Sequence, residues 1–365
     1  MPSAAPTQSA PDAAIQALDE LYAHAGLTRS LHGQAGGVTV RMRMERAEPE
    51  ELQQPAAAPL LAANGVSWLP MPQLAGRGKA RLDWLMGGFS TRCGGLSQAY
   101  AIADAQGETP GELNLGFTAS DSRENVLANR KLLVQAVSGR SNTPLVTLRQ
   151  IHSNLVVQAA RSDARLQEPH RGDGLMTDQP GLLVGIQTAD CIPVLVADRK
   201  RRVVAAFHAG WRGTVARIVE SGIGRMRLEY GSKPQDLIAA IGPGINACCY
   251  SVGEEVRIAF EAQFSYAPTL FREVYDSDPI RTKYPMLFLT QRAPGHSPIG
   301  PSLHLNLVEA NRRQLLDAGL KESAIQSVGG CTCCQRDLFF SHRGSQGFAG
   351  RMLSIIGIRA EAEKK

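Results

Sequence analysis

The chain has 365 residues, 43% hydrophobic and 20% charged, which is enough to bury one large core. No apolar run reaches the roughly 18 residues that a membrane-spanning helix needs, so a membrane protein is not expected. The net charge of +5 comes from 39 basic and 34 acidic residues, and the basic excess is spread along the chain. This pattern argues against a nucleic-acid partner and favours a mild attraction for anionic substrates.

The cellular compartment is predicted from the cysteines and from the first residues. The chain has seven cysteines, an odd number, and it begins without the basic and apolar regions of a secretory signal. Unpaired thiols persist in reducing compartments. The expected location is therefore the cytoplasm.

Three regions are predicted along the chain. Residues 1–60 are rich in Ala, Pro and Gln, and they are expected to be largely disordered around one helix at 12–25 and a short strand at 37–44. Residues 61–359 are predicted to form the catalytic domain, and residues 360–365 form a charged tail.

Within the catalytic domain, β-branched and apolar runs are interleaved with amphipathic segments. The amphipathic segments predict helices near 122–137, 213–229, 253–263 and 307–318. The order is neither a regular alternation of strands and helices nor all-β, which predicts the α+β class. Strands are predicted at Val146 to Leu148, Leu155 to Gln158, Leu182 to Ile186, Ile192 to Ala197, Val203 to Phe207 and Leu237 to Ile241.

His152, Cys191 and His208 form the main candidate site. Each lies in a separate strand-like segment beside small or turn-forming residues, which predicts a side chain at a strand end. Two imidazoles and one thiolate are typical ligands of a catalytic zinc, whose fourth position stays open for water or substrate. Taken singly, each residue has the alternative of an ordinary buried core residue.

Seven motifs surround these residues and occur in a fixed order along the chain. They are Gly88-Phe-Ser-Thr-Arg92-Cys-Gly-Gly95, Asp173-Gly-Leu-Met-Thr-Asp178, Thr188-Ala-Asp-Cys191-Ile-Pro-Val, His208-Ala-Gly-Trp-Arg-Gly213, Ile241-Gly-Pro-Gly244, Cys248-Cys-Tyr250-Ser-Val-Gly-Glu254 and Cys331-Thr-Cys-Cys334. Together they closely resemble the laccase-domain family of zinc-dependent purine nucleoside phosphorylases, which is also described as multicopper polyphenol oxidase. The resemblance covers about residues 61–359.

The resemblance implies a fold, a ligand set and an activity. The fold is a single domain of mixed sheets with flanking helices, and the metal ligands are His152, Cys191 and His208. The implied activities are phosphorolysis of adenosine, inosine, guanosine and methylthioadenosine, together with deamination of adenosine. Purine nucleosides and phosphate are the implied partners. Ser153 and an insertion at Ala101 to Gly111 depart from the family pattern and put substrate preference in question.

The choice between zinc and copper can be weighed from the histidines. A multicopper oxidase needs a blue-copper site and a separate histidine-rich cluster that reduces oxygen. The chain has eight histidines, and those outside the candidate site are scattered without paired spacing. Zinc is therefore the predicted cofactor, and copper with a polyphenol oxidase activity is an alternative.

Phosphorolysis also needs an anion pocket and contacts to the nucleoside. Arg92, followed by two glycines, and Arg212, in the turn after His208, are predicted phosphate contacts, with a solvated surface charge as the alternative for Arg212. The resemblance adds Asn114 as a nucleoside contact, and Arg351 is a second candidate for phosphate. Asp190 and Asp178 are candidate general acids, with turn capping or support of a ligand as their alternatives.

Two rival functions remain open. Cys191 with His208 or His152 as its base would serve a cysteine hydrolase or amidase, and the same scaffold would also serve a non-catalytic binding protein. Five of the other six cysteines are expected to be reduced and mostly buried, namely Cys248, Cys249, Cys331, Cys333 and Cys334. Cys248 and Cys249 are adjacent, and from a strand they would face opposite sides. Cys331 and Cys334 alone would suit half a zinc ribbon or a redox pair.

Overall fold

The structure is a computed structural model, and it describes residues 58–72, 82–101, 111–274 and 302–360. These residues belong to a compact unit that spans Gln53–Lys365. The predicted helix at 12–25 and strand at 37–44 lie outside the described residues, as do most of the insertion before residue 112 and of the charged tail.

The described residues form sixteen strands, which are numbered here in chain order. They are β1 (Leu60–Leu61), β2 (Ser67–Pro70), β3 (Leu85–Ser90), β4 (Cys93–Ser97), β5 (Leu145–Thr147), β6 (Val156–Gln158), β7 (Gly174–Thr177), β8 (Leu182–Thr188), β9 (Ile192–Asp198), β10 (Val203–Ala209), β11 (Leu237–Ile241), β12 (Ser251–Val252), β13 (Phe271–Val274), β14 (Ser302–Leu305), β15 (Ile325–Ser327) and β16 (Met352–Ile358).

Fifteen of these strands assemble into two six-stranded mixed sheets and one small antiparallel sheet, whereas β4 forms only isolated bridges with Glu112. The first sheet has the order β1-β2-β3-β16-β8-β5, and the second has the order β15-β11-β9-β10-β7-β6. Parallel pairs join β5 to β8, β6 to β7 and β11 to β15, while the other ladders are antiparallel. The third sheet has the order β12-β14-β13.

Within the described ranges, five α-helices flank the sheets. In α1, the side chain of the N-cap Ser122 accepts a hydrogen bond from the backbone of Asn125, and Gly139 ends the helix in a left-handed conformation. The helices are α1 (Arg123–Ser138), α2 (Trp211–Val215), α3 (Ile218–Tyr230), α4 (Glu254–Glu261) and α5 (Leu307–Asp317).

The central strands are buried on both faces, which explains their continuous apolar sequence. In β9, Leu195 and Ala197 face a core that also contains Val184 of the first sheet, so the two large sheets pack face to face. Val194 and Val196 point the other way, into a core shared with helices α3 and α5. Helix α1 covers the outer face of the first sheet. The layers are therefore helix, sheet, sheet and helix.

The α+β class and the single domain of mixed sheets are confirmed. The six predicted strands correspond to β5, β6, β8, β9, β10 and β11, with ends that differ by at most two residues. The helix predicted near 213–229 is wrong in one respect: it is two helices, because Arg217 adopts a left-handed conformation with φ of 60° between α2 and α3. In the part of the chain that is described, no helix is long and apolar enough to span a membrane.

Candidate metal centre

Strand register brings the predicted ligands together at one end of the second sheet. The β9–β10 ladder ends with the pair Ala209 and Ile192. Cys191 directly precedes Ile192, so it lies beside the end of β10, where His208 is the penultimate residue. The sequence separation of 17 residues between Cys191 and His208 is thereby closed by a hairpin.

One ligand atom from each of His152, Cys191 and His208 lies within 4.8 Å of the other two. The two imidazole rings have centroids 5.0 Å apart and meet edge to face at 74°. Neighbouring ligand atoms of a tetrahedral zinc are roughly 3.3–3.8 Å apart, given bond lengths of about 2.0–2.3 Å. His208 is buried and His152 is exposed, so the cluster is open on the His152 side. The three residues could therefore bind one metal ion.

Asp173 is the residue that organises this cluster. It immediately precedes β7, and its carboxylate is fully buried. One oxygen, Oδ1, lies 2.8 Å from Nδ1 of His208 and accepts the backbone N–H of His152 at 3.0 Å. The other oxygen, Oδ2, accepts from the backbone N–H groups of Ile151 and Ser153 and from the Ser153 hydroxyl. Asp173 therefore leaves Nε2 as the free nitrogen of His208 and anchors the loop that carries His152.

The sequence did not single out Asp173 as a functional residue, although it begins one of the recognised motifs. A carboxylate that orients a metal-binding histidine is a common arrangement. Its partner is 35 residues away along the chain, and only the register of β7 against β10 brings the two together. An acidic residue before Gly174, at the start of a wholly buried strand, was the available signal.

Two residues beside the metal cluster adopt left-handed backbone conformations. His152 has a φ of 59° and Asp190 a φ of 92°. Such conformations cost on the order of 1–3 kcal/mol for non-glycine residues, so surrounding contacts must hold them. Asp173 holds His152, as described. The Asp190 carboxylate accepts the Thr332 hydroxyl and the Arg343 backbone N–H, both at 2.6 Å.

The charges in the cluster stabilise the ionised forms of Cys191, Asp173 and His208. Burial alone would raise the pKa of the Cys191 thiol, but the two nearby imidazoles outweigh it and lower that pKa to about 6. Burial likewise opposes ionisation of Asp173, yet hydrogen bonds from His208 and Ser153 lower its pKa to about 2. A thiolate and a carboxylate are thus present near neutral pH. Burial opposes protonation of His208, but the Cys191 and Asp173 charges raise its pKa to about 9, so a divalent cation that binds here displaces a proton from the imidazole.

Gly210 gives the cluster its space. A Cβ atom at this position would lie 2.9 Å from Sγ of Cys191 and 3.2 Å from Cδ2 of His152. The backbone of Gly210, with φ of −71° and ψ of 169°, is one that alanine adopts readily. Steric contact with the ligands is therefore what a side chain here would change.

We expect Gly210→Ala to weaken zinc binding about tenfold, because crowding of this kind costs roughly 1–3 kcal/mol. Competition with a chromophoric chelator measures the affinity. Gly224→Ala is the matched control, since a Cβ at Gly224 meets nothing within 4 Å. Equal zinc affinity in both variants and the unmodified protein would contradict the assigned role of Gly210.

Arg92 does not have the free guanidinium that the sequence led us to expect. It is 6% exposed, and it donates to the Glu112 carboxylate at 2.7 Å and to the backbone oxygens of Arg336 and Tyr100 at 2.7 and 2.8 Å. Its guanidinium also lies over the ring of Phe340. All three guanidinium nitrogens are engaged within the protein, so Arg92 holds segments together. Its contact with phosphate stays a prediction.

Asn114 and Arg351 are also engaged within the protein. The buried Asn114 amide donates to Asp121 at 2.7 Å and accepts the backbone N–H groups of Gly116 and Arg351. The Arg351 guanidinium donates to the backbone oxygens of Ala349 and Gly350. Asn114 thus joins three segments through an internal network, and its contact with the nucleoside stays a prediction.

Arg212 is the predicted phosphate contact that remains available. It is exposed in α2, and its guanidinium lies over the Trp211 ring, 4.4 Å from the centroid. Burial raises the pKa of the nearby Tyr250 hydroxyl, the Cys191 charge raises it further, and Arg343 and Arg212 oppose these effects. Arg212, Arg343 and Tyr250 therefore lie near the cluster, and the sequence had not singled out Arg343 or Tyr250.

The two candidate general acids differ in position. Asp190 lies next to Cys191, but its oxygens already accept hydrogen bonds from Thr332 and Arg343, which suits an anchoring role. Asp178 is exposed directly after β7, whereas the metal cluster lies beyond the opposite end of that strand. Asp178 is therefore not brought to the cluster.

Comparisons with known proteins match this chain to one family. Residues 86–359 match the family model described as "Multi-copper polyphenol oxidoreductase laccase". The chain is 34% identical over 245 residues to a protein of Bacteroides thetaiotaomicron named purine nucleoside phosphorylase, covering 66% of this chain and 82% of that one. It is 33% identical over 286 residues to purine nucleoside phosphorylase YlmD of Geobacillus stearothermophilus, covering 74% of this chain and 94% of that one.

Solved structures agree with this result. The crystal structure of YlmD from Geobacillus stearothermophilus superposes with a TM-score of 0.62 at 29% identity, over 85% of this chain and 100% of that one. The hypothetical protein YfiH of Bacillus licheniformis superposes with a TM-score of 0.64 at 28% identity, over 82% of this chain and 99% of that one.

Proposed function

Because the chain belongs to the family described as multi-copper polyphenol oxidoreductase laccase, we propose that it is a zinc-dependent purine nucleoside phosphorylase. Its proposed substrates are adenosine, inosine, guanosine and methylthioadenosine with phosphate, and it also deaminates adenosine. The names of the two relatives support the phosphorylase activity. The observation that carries the proposal is the convergence of His152, Cys191 and His208 on one open point beside an exposed arginine.

The donor set fits zinc. His152, Cys191 and His208 offer two nitrogens and one sulfur, Asp173 orients one ring, and Gly210 leaves the space. When bound, zinc would supply a Lewis acid with an open coordination position. We expect the protein to work in the cytoplasm, where the thiolate stays reduced.

Zinc fits better than a set of coppers. Oxygen reduction by a multicopper oxidase needs a histidine-rich cluster in addition to a site with two histidines and a cysteine. Over the described ranges, the other group of potential metal ligands consists of four cysteines and contains no histidine. The proposed activity is therefore group transfer rather than oxidation of phenols.

In phosphorolysis, a phosphate oxygen attacks C1′ of the ribose, and the bond from C1′ to the purine nitrogen breaks. The Arg212 guanidinium is placed to hold the phosphate, because its described contact is a stacking one that leaves its N–H groups available. The leaving purine takes the bonding electrons and needs a hydrogen-bond donor. Tyr250, whose pKa is raised by burial and by Cys191, keeps its proton at neutral pH and can donate.

We expect Arg212→Ala to raise the KM for phosphate about tenfold. A charge-assisted hydrogen bond contributes roughly 1.5–3 kcal/mol, and the lower value corresponds to about a factor of ten. The KM for inosine should change little. Steady-state kinetics with each substrate varied in turn measures both constants. Arg227→Ala on the exposed side of α3 is the control for loss of one positive charge, and an equal effect of both variants would contradict a direct phosphate contact.

A nucleoside panel with and without phosphate tests the proposed function. With phosphate, inosine should yield hypoxanthine and ribose 1-phosphate, and without phosphate no hypoxanthine should form. Adenosine should yield inosine in both conditions, because deamination uses water. Absence of the free purine base with every nucleoside in the presence of phosphate, from protein shown to contain zinc, would refute the phosphorylase.

One observation favours a second candidate. Cys191, His208 and Asp173 are arranged as a thiol, an imidazole and an orienting carboxylate, which is the pattern of a cysteine hydrolase or amidase. A bound zinc would occupy the thiolate and remove its nucleophilicity. Full activity of zinc-free protein, lost after alkylation of Cys191 by iodoacetamide, would support the hydrolase instead.

A further inference from the structure

Four cysteines form a second cluster whose residues all differ from those of the candidate metal centre. The sulfur atoms all lie within 4.8 Å of one another. Cys334 is at the middle, with its Sγ 3.5 Å from that of Cys248 and 3.3 Å from that of Cys249. The fourth member is Cys331, which is buried, whereas Cys248 and Cys334 are exposed.

The sequence-based expectations for these cysteines were wrong on two points. They are not mostly buried, and the adjacent pair does not lie in a strand. Cys248 and Cys249 belong to a turn that ends just before β12. In a turn, neighbouring side chains are not forced to opposite sides as they are in a strand. The sulfurs of Cys248 and Cys249 therefore both approach Cys334. These two residues supply the second half of the metal site whose first half is the Cys331–Cys334 motif.

The turn from Cys331 to Cys334 has the features of a metal-binding knuckle. The backbone N–H of Asn246 donates to Sγ of Cys331 at 3.4 Å. Hydrogen bonds of this kind stabilise a thiolate, the form that binds metals.

The distances between the sulfur atoms distinguish a metal site from a disulfide. Sulfurs around a tetrahedral zinc are about 3.8 Å apart, given zinc–sulfur bonds of about 2.3 Å. The distances from Sγ of Cys334 to Sγ of Cys249 and Cys248, 3.3 and 3.5 Å, and the upper limit of 4.8 Å for all pairs fall on both sides of that value. A disulfide needs about 2.05 Å and would use only two of the four. Four sulfur atoms at these distances from one another can surround a single metal ion.

We propose that Cys248, Cys249, Cys331 and Cys334 bind a single zinc ion in a structural site. Four protein ligands fill all positions of a tetrahedral zinc, so the site is closed to substrate. Soft thiolate ligands select zinc over hard cations such as magnesium and calcium.

At the position of the four cysteines, the ion would hold two segments of the chain together. It joins the segment before β12 to the turn at Cys331–Cys334, where Gly244 already pairs with Cys331 and accepts the backbone N–H of Thr332. The Thr332 hydroxyl in turn donates to Asp190, the neighbour of Cys191. The structural ion would therefore stabilise one wall of the candidate metal centre without touching substrate.

Zinc content of the full chain, purified under reducing conditions and filtered free of loose metal, tests the proposal. We expect about two zinc ions per chain in the unmodified protein, and about one in a Cys248→Ser, Cys334→Ser double variant. The His152→Ala variant should also hold about one zinc ion, because it loses the ion of the centre at His152, Cys191 and His208 and keeps the ion of the four cysteines. Cys333→Ser is the matched control and should keep both ions, because Cys333 is absent from the four-cysteine group and its sulfur lies near Gly344.

A measurement on protein that keeps all four cysteines guards against a double variant that fails to fold. Stepwise titration of His152→Ala protein with an organomercurial should release about one zinc as about four thiolates react. One zinc per chain in the unmodified protein, lost in His152→Ala, would overturn this inference while leaving the proposed function intact. Iron in place of zinc, or an intact mass two hydrogens lower from a disulfide in this cluster, would also overturn it.

Discussion

Removal of the metal from the centre at His152, Cys191 and His208 should lower phosphorolysis of inosine on the order of 1000-fold, and zinc should restore the rate. A Lewis acid contributes several kcal/mol to charge stabilisation in a transition state, and about 1.36 kcal/mol corresponds to a factor of ten. The measurement is hypoxanthine formation by protein dialysed against a chelator, before and after addition of zinc.

A ligand variant separates this centre from the four-cysteine cluster. His208→Ala removes the buried ligand, so its activity should stay low even with excess zinc. Cys333→Ser protein should respond to chelation and to zinc as the unmodified protein does. An unchanged rate after complete loss of metal would eliminate the zinc-dependent mechanism, and full activity of His208→Ala would eliminate this centre as its site.

Asp173→Asn should lower zinc affinity by roughly 10–100-fold, because this is the usual effect of losing a partner that orients a metal ligand. Activity at limiting zinc should fall by the same factor. The carboxylate accepts from two backbone groups and a hydroxyl on one oxygen, and from His152 and His208 on the other. An amide keeps one acceptor oxygen, and its NH₂ group would face donors in place of the other. The orientation of the His208 ring would then no longer be fixed.

Asp178→Asn is the matched control for Asp173→Asn, because Asp178 flanks the opposite end of β7 and is exposed. It should leave zinc affinity and rate unchanged. Since Asp173 is also buried, thermal unfolding of the zinc-free variants should be compared, and the loss of zinc affinity should persist at temperatures where both are fully folded. Normal zinc affinity in folded Asp173→Asn protein would show that Asp173 does not orient the ligand.

Much of this protein follows from local sequence patterns. Continuous apolar runs such as 192–197 and 203–207 indicate strands buried on both faces, and the structure has strands there. The helix at Arg123–Ser138 is marked by the capping Ser122 and by Gly139. The residue types His152, Cys191 and His208 suggest a metal, because few other roles call for two imidazoles and a thiolate beside strand ends.

What tertiary structure decided is which side chains meet. Asp173 and His208 are neighbours only through the register of β7 on β10, and no local pattern encodes that register. Arg92 looked like an anion ligand beside its glycines, but its partners Glu112 and Arg336 come from other segments and use its donors. Likewise Cys248 and Cys334 are 86 residues apart. Periodicity reports which face of an element is buried, whereas a site depends on contacts between elements, and those exist only once the sheets have packed.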